Sequence, residues 1–126
     1  LGAESVAKIE QVRAAGLKSL EILKTAGVRM AFGTDLLGAS HDLQSEEFLI
    51  RAQVQSNLEV LQSATLIGAE LLNQVGVIGE IAAGARADLL LVDGNPLADL
   101  ACLTGQGERI PLVMQGGKLR VNELRA

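Results

Sequence analysis

The sequence has almost no aromatic residues: two Phe, no Tyr and no Trp in 126 positions. Any core must therefore be built from Leu, Ile, Val and Ala. It has one cysteine, Cys102, which excludes an internal disulfide framework and fits a reducing compartment, the cytoplasm. No run of basic residues is interleaved with aromatics, and the formal net charge is −4, so neither nucleic acid nor an anionic membrane is expected as a partner. No apolar stretch approaches the ~20 residues of a spanning helix; the longest, 87–92, is strand-length. The opening residues carry Glu4, Lys8 and Glu10 in an amphipathic pattern rather than a leader's, and the start at Leu1 fits a piece cut from a longer protein.

What is present is an ordinary folded composition, with 48% hydrophobic and 21% charged residues. A chain of this size is one small domain, and one that leaves roughly a third or more of its surface exposed on folding. The abundance of Ala and Leu implies that more protein covers some of it.

Val6, Ile9, Val12, Leu17, Leu20, Ile22 and Leu23 recur at helical spacing and predict a helix over 4–26, stopped by Gly27. Residues 28–32 then predict a short buried strand, ended by Gly33. This order is the αβ half of a βα repeat. A loop is expected over 34–43, then a helix from Ser45 to about Val54, a second from Ser56, and a third from Ser63 or Thr65 to about Asn73. Beyond Gly76 the segments shorten. Strands are predicted at 87–92 and 110–114, with a Gly116-Gly117 turn leading into a third over 118–121. Residues 1–74 thus read as the end of an α/β layer structure, and 75–126 as a small β unit.

Asp35, in Gly33-Thr34-Asp35, is the first candidate for chemistry. A carboxylate just past the C-terminal end of a buried parallel strand occupies the usual active-site position of α/β folds. It can ligate a divalent ion and take a proton from water. The alternative is that Asp35 caps the next segment or closes an Asx turn. His41, the one histidine, is a ligand, a substrate contact, a proton carrier or simply solvated. One His and one Asp do not close a metal site, and no HxH, HExxH or CxxC pairing exists. Ser40, His41 and Asp42 are adjacent in sequence, which is not triad geometry. Glu46 and Glu47 read as N-terminal helix charge, Cys102 as a small buried hydrophobe. The later glycines match no phosphate-binding pattern.

The most specific run is Ala64-Thr65, Ala69, Gly76, Gly79-Glu80-Ile81, Gly84 and the continuous stretch 87–97, with Val113 and Gly116-Gly117-Lys118 beyond it. Its physical reading is architectural. Glycines permit turns between short strands, Asp88 satisfies turn amides, and Pro96 ends a strand. The run resembles the C-terminal signature of the amidohydrolase superfamily, in the subgroup of imidazolonepropionase-like proteins and Xaa-Pro or Xaa-Arg dipeptidases. Upstream, Gly33-Thr34-Asp35 resembles that family's last barrel strand and its metal-binding aspartate. The likeness covers about residues 17–121.

The resemblance implies the C-terminal part of a (β/α)8 TIM barrel over 1–74, and strands of a small composite β-sandwich over 75–126. It implies hydrolysis of C–N bonds of small substrates, dipeptides or N-acyl amino acids, with cyclic amides as the alternative. One or two divalent ions, zinc foremost, are the implied cofactor. Asp35 becomes a metal ligand and general base, and His41 and Glu47 shape the substrate pocket. The family's HxH pair, bridging lysine and further histidine ligands have no counterpart in this sequence. The segment alone is therefore expected to be inactive, with the remainder of the barrel as its partner and homo-oligomerisation left open. A non-enzymatic interaction or scaffold module is the competing reading.

Overall fold

The computed structural model describes residues 3–124, with side-chain surroundings from residue 14 onward. Leu1 lies outside the described residues, as do the side chains of Glu4, Val6, Lys8, Ile9, Glu10 and Val12.

Helix α1 spans Ala3–Thr25, as the apolar spacing predicts. It ends in a Schellman motif: the Val28 amide donates to the Leu23 carbonyl and the Gly27 amide to the Lys24 carbonyl, both at 3.0 Å. Its apolar face is only partly covered, with Leu17 and Leu20 half-buried and Ile22 and Leu23 exposed.

Residues 28–32 carry no regular secondary structure and form no ladder with another strand among the described residues, and Val28 and Arg29 are exposed, so the predicted buried strand is corrected. Backbone outside a ladder can be held if its polar groups find other partners. Here the Phe32 amide donates to the Ser63 carbonyl at 3.0 Å, and the Ala31 carbonyl accepts from Arg51.

The expected loop over 34–43 and the helix start at Ser45 are corrected. A 3₁₀ stretch, Gly38–Glu46, runs straight into helix α2, Glu47–Arg51. The residue preceding α2, Glu46, is already helical, and no side chain caps it. Ser45 therefore has no orphan amide to satisfy there.

Helices α3, Asn57–Ala64, and α4, Leu66–Leu71, follow the sequence closely. Ser56 and Glu59 form a complete capping box at the head of α3. Glu59 also takes Lys24 Nζ at 2.9 Å, tying α3 to the end of α1. The Lys24 hydrogen bond, with those from the Ser56 amide and hydroxyl, lowers the Glu59 pKa from 4.5 to about 2. A depressed folded-state pKa gives stability that is complete above pH 4.5 and lost as pH falls towards 2. Glu59 is partly solvent-exposed, so the size of the effect is modest. Urea unfolding of wild type and Glu59→Gln at stepped pH is expected to show the wild type's advantage shrinking across that window. An advantage independent of pH would contradict it.

After α4 come turns, then a three-stranded antiparallel sheet in sequence order. Strand β1, Leu89–Leu91, is shorter than predicted, β2, Leu112–Gln115, is shifted, and β3, Lys118–Asn122, matches the predicted strand to within one residue. Leu89 pairs with Met114 and Leu91 with Leu112. Between β2 and β3 the register breaks at the Val113–Met114 step, a bulge. Gly116 and Gly117 both have positive φ, 56° and 76°, as a two-residue hairpin turn requires. The Asp88 carboxylate accepts from the Gly116 amide at 2.6 Å, the turn-satisfying role expected of it.

Among the described residues the buried apolar ones are few: Val60, Ala69, Leu100, Cys102 and Leu103. Val60 of α3 packs with Leu100, Cys102 and Leu103, and Phe48, Ala52, Leu61, Val92 and Ile110 surround them. Cys102 is the small buried hydrophobe expected from the sequence. Many large apolar side chains lie in the open, Ile81 at 90% and Leu37 at 79% exposure among them. No described helix is long and apolar enough to cross a membrane.

Candidate functional site

Asp35 lies three residues beyond segment 28–32, at φ 52°. Left-handed backbone is uncommon outside glycine but accessible to Asp. Its side chain is exposed and makes no hydrogen bond or ion pair to any described residue. Nor does any side chain cap the following 3₁₀ stretch. The capping and Asx-turn alternatives therefore have no bond to stand on, and the carboxylate faces outward with its acceptor capacity intact.

His41 sits within that 3₁₀ stretch, exposed and unpaired among the described residues. Glu47, the first residue of α2, is half-buried, and its Oε1 accepts from Arg51 Nε at 2.7 Å. It is thus neither a free carboxylate nor mere terminal charge: its helical neighbour one turn on holds it.

Sequence reasoning passed over Arg51. Its side chain is buried, Nη2 donates to the Ala31 carbonyl at 3.0 Å, and the guanidinium lies over the Phe32 ring, 5.3 Å from the centroid. Phe32 also packs on Phe48, with ring centroids 4.6 Å apart. The one signal available was the Glu47–Arg51 spacing of four on a predicted helix. The far end of the same segment is tied as well, Arg29 pairing with Glu70 of α4. Carbonyl, amide, ring and side chain together hold the strip of backbone that leads to Asp35.

Among the described residues no group of three His, Cys, Asp or Glu converges as a metal site. The donor set offers one hard, unencumbered carboxylate, which suits a divalent ion as a single ligand; tight binding requires at least two more protein ligands. A cleft of about 460 Å³ lies elsewhere, between the end of α1, residues 28–30, α3 and α4, and contains none of Asp35, His41 or Glu47. Its Lys24 and Arg29 are already paired to Glu59 and Glu70, so it presents no free cation for a ligand among the described residues.

Several known proteins are similar in sequence and fold. An amidohydrolase of known crystal structure is 58% identical, superposes with a TM-score of 0.90, and matches over 99% of this chain and 30% of its own. A prolidase crystallised with N-methylphosphonate-L-proline is 50% identical at a TM-score of 0.87, over 97% of this chain and 30% of its own. Among curated proteins, an ochratoxinase of Aspergillus niger is 27% identical over 117 residues, 92% of this chain and 24% of that protein. The chain thus spans between about a quarter and a third of the length of these proteins. Its mixed helix-and-strand fold matches structures of the TIM-barrel amidohydrolases. The model of the amidohydrolase family matches residues 2–119, and the chain belongs to that family.

Proposed function

We propose that this chain is the C-terminal part of a metal-dependent hydrolase of C–N bonds in small substrates, dipeptides or N-acyl amino acids. Cyclic amides are the alternative within the same chemistry. The observation that carries this is the unencumbered Asp35 carboxylate, set just past an anchored backbone segment in a chain of the amidohydrolase family. The likeness to a prolidase seen with a proline phosphonate, a mimic of a dipeptide under attack by water, favours dipeptides.

On this reading residues 1–74 end the barrel and 75–126 supply strands of a small sandwich. Exposed apolar residues such as Leu37, Leu71 and Ile81 support their being covered by the rest of the protein. The segment alone is inactive, because one carboxylate does not make a site. The lone buried Cys102 accords with a cytoplasmic location.

Asp35 would hold the ion, zinc foremost, together with ligands from earlier strands. The chemistry such an ion supplies when bound is polarisation of the scissile carbonyl and acidification of the attacking water. Asp35 accepts the proton as water oxygen adds to the carbonyl carbon. It then returns that proton to the departing amine nitrogen as the C–N bond breaks. His41 and Glu47 line the substrate pocket, Glu47 with Oε1 engaged by Arg51 and Oε2 left for a polar group.

The test is chelation of the full-length protein followed by assay against dipeptides, N-acyl amino acids and cyclic amides. Hydrolysis of one class is expected to vanish on metal removal and return with added zinc. Full activity in the metal-stripped protein would overturn the reading.

A further inference from the structure

We propose that Arg51 is a positioning residue for Asp35, fixing onto α2 the backbone strip that ends in that carboxylate; this rests on the role proposed for Asp35. The side chain is only 6% exposed, an unusual cost for a cation unless it is satisfied by specific partners. Its fork spans two elements. Nε engages Glu47 one turn back on the same helix, and Nη2 engages the Ala31 carbonyl on segment 28–32. The guanidinium plane also covers Phe32, the residue after that carbonyl. Arg51 therefore grips the segment at two consecutive residues, three and four positions before Asp35.

The geometry also explains why Arg rather than Lys stands here. A planar fork reaches a carboxylate and a carbonyl at once and stacks on a ring, whereas an ammonium offers one compact charge. A further donor, Nη1, is buried with no partner among the described residues. Buried donors are rarely left unmade. It is free to bind a carbonyl or carboxylate brought by another part of the full-length protein, which would extend the clamp.

The carboxylate of a metal hydrolase must be held to within a fraction of an ångström, and small misplacements cost up to about 10²-fold in rate. Arg51→Lys and the apolar Arg51→Met, made in the full-length protein, test the proposal. Expected for both is a fall in kcat of about 10–100-fold with KM changed much less, at unaltered protein concentration. A second readout needs no turnover. In metal-stripped protein, hydrogen exchange at residues 28–35 should quicken by about tenfold or more, while α3 and α4 keep their protection. A purely structural role would instead lower protection throughout and leave kcat per folded molecule unchanged. That result, or loss of soluble protein in both variants, would overturn the proposal. Asp35→Asn, assayed alongside, separates the two claims. If it retains wild-type turnover, the role of Asp35 fails and the proposal falls with it. If it is inactive while Arg51→Lys keeps wild-type kcat and exchange, the positioning role alone fails.

Discussion

Asp35→Asn in the full-length protein is expected to lower kcat for C–N hydrolysis by about 10²–10⁴-fold, the range spanned by loss of a general base, with the melting temperature nearly unchanged. The substitution is isosteric, and the carboxylate makes no bond to any described residue, so little of the fold leans on it. The backbone conformation is equally safe. Asp35 sits at φ 52°, and Asn is among the few residues that visit this region readily. What changes is the charge that faces an ion and the basicity that takes a proton. Steady-state kinetics with a thermal melt of the same preparation decides the matter, and a near-normal rate would refute the assignment.

The largest effect on stability is expected at Gly79. Its φ is 81°, and a Cβ placed there would lie 2.6 Å from the Thr65 carbonyl oxygen and 3.1 Å from Ala69 Cβ. The oxygen is backbone and cannot rotate aside. It already accepts the Ala69 amide at 2.9 Å in the first turn of α4, so pushing it away breaks that turn as well. Left-handed strain alone costs an L-residue about 1–2 kcal/mol, and the clash adds to it. Gly79→Ala should therefore destabilise by at least about 2–3 kcal/mol. Gly84 is a matched control: its φ is 88°, but nothing lies within 4 Å of the Cβ position. Gly84→Ala should cost the strain term only. Denaturant midpoints of the two variants measure the difference, and equal losses would show that the close approach to Thr65 carries no weight.

What could be read from the sequence depended on how local its cause was. Helix α1 and its Gly27 stop, the Ser56 cap and the Gly116-Gly117 turn each depend on a few neighbouring residues, and each is where the sequence places it. The same holds for the Asp88 side chain, which meets a turn amide as expected. The segment 28–32 reads as a strand because Val28, Met30 and Phe32 suit one. Pairing requires neighbours that no local pattern supplies, and the described residues contain none. Ser45 and its following acids resemble a helix start, yet the chain is already turning from Gly38 onward. At the site, Gly33-Thr34-Asp35 was legible as a motif. Arg51 was not, because its partners lie on another element, and nothing in a run of helix formers marks one arginine as buried.

The interior described above is assembled from both sides of the chain's midpoint. Val60 comes from a helix of the first half, and Leu100, Cys102 and Leu103 from a tight turn of the second. Neither half keeps a dry interior without the other. Helix α3 and the turn at residues 100–103 therefore depend on each other: loosening that turn strips α3 of its packing, and with α3 goes the Ser63 carbonyl that holds Phe32. Damage at Leu100, Cys102 or Leu103 thus has a short route to the backbone that leads to position 35.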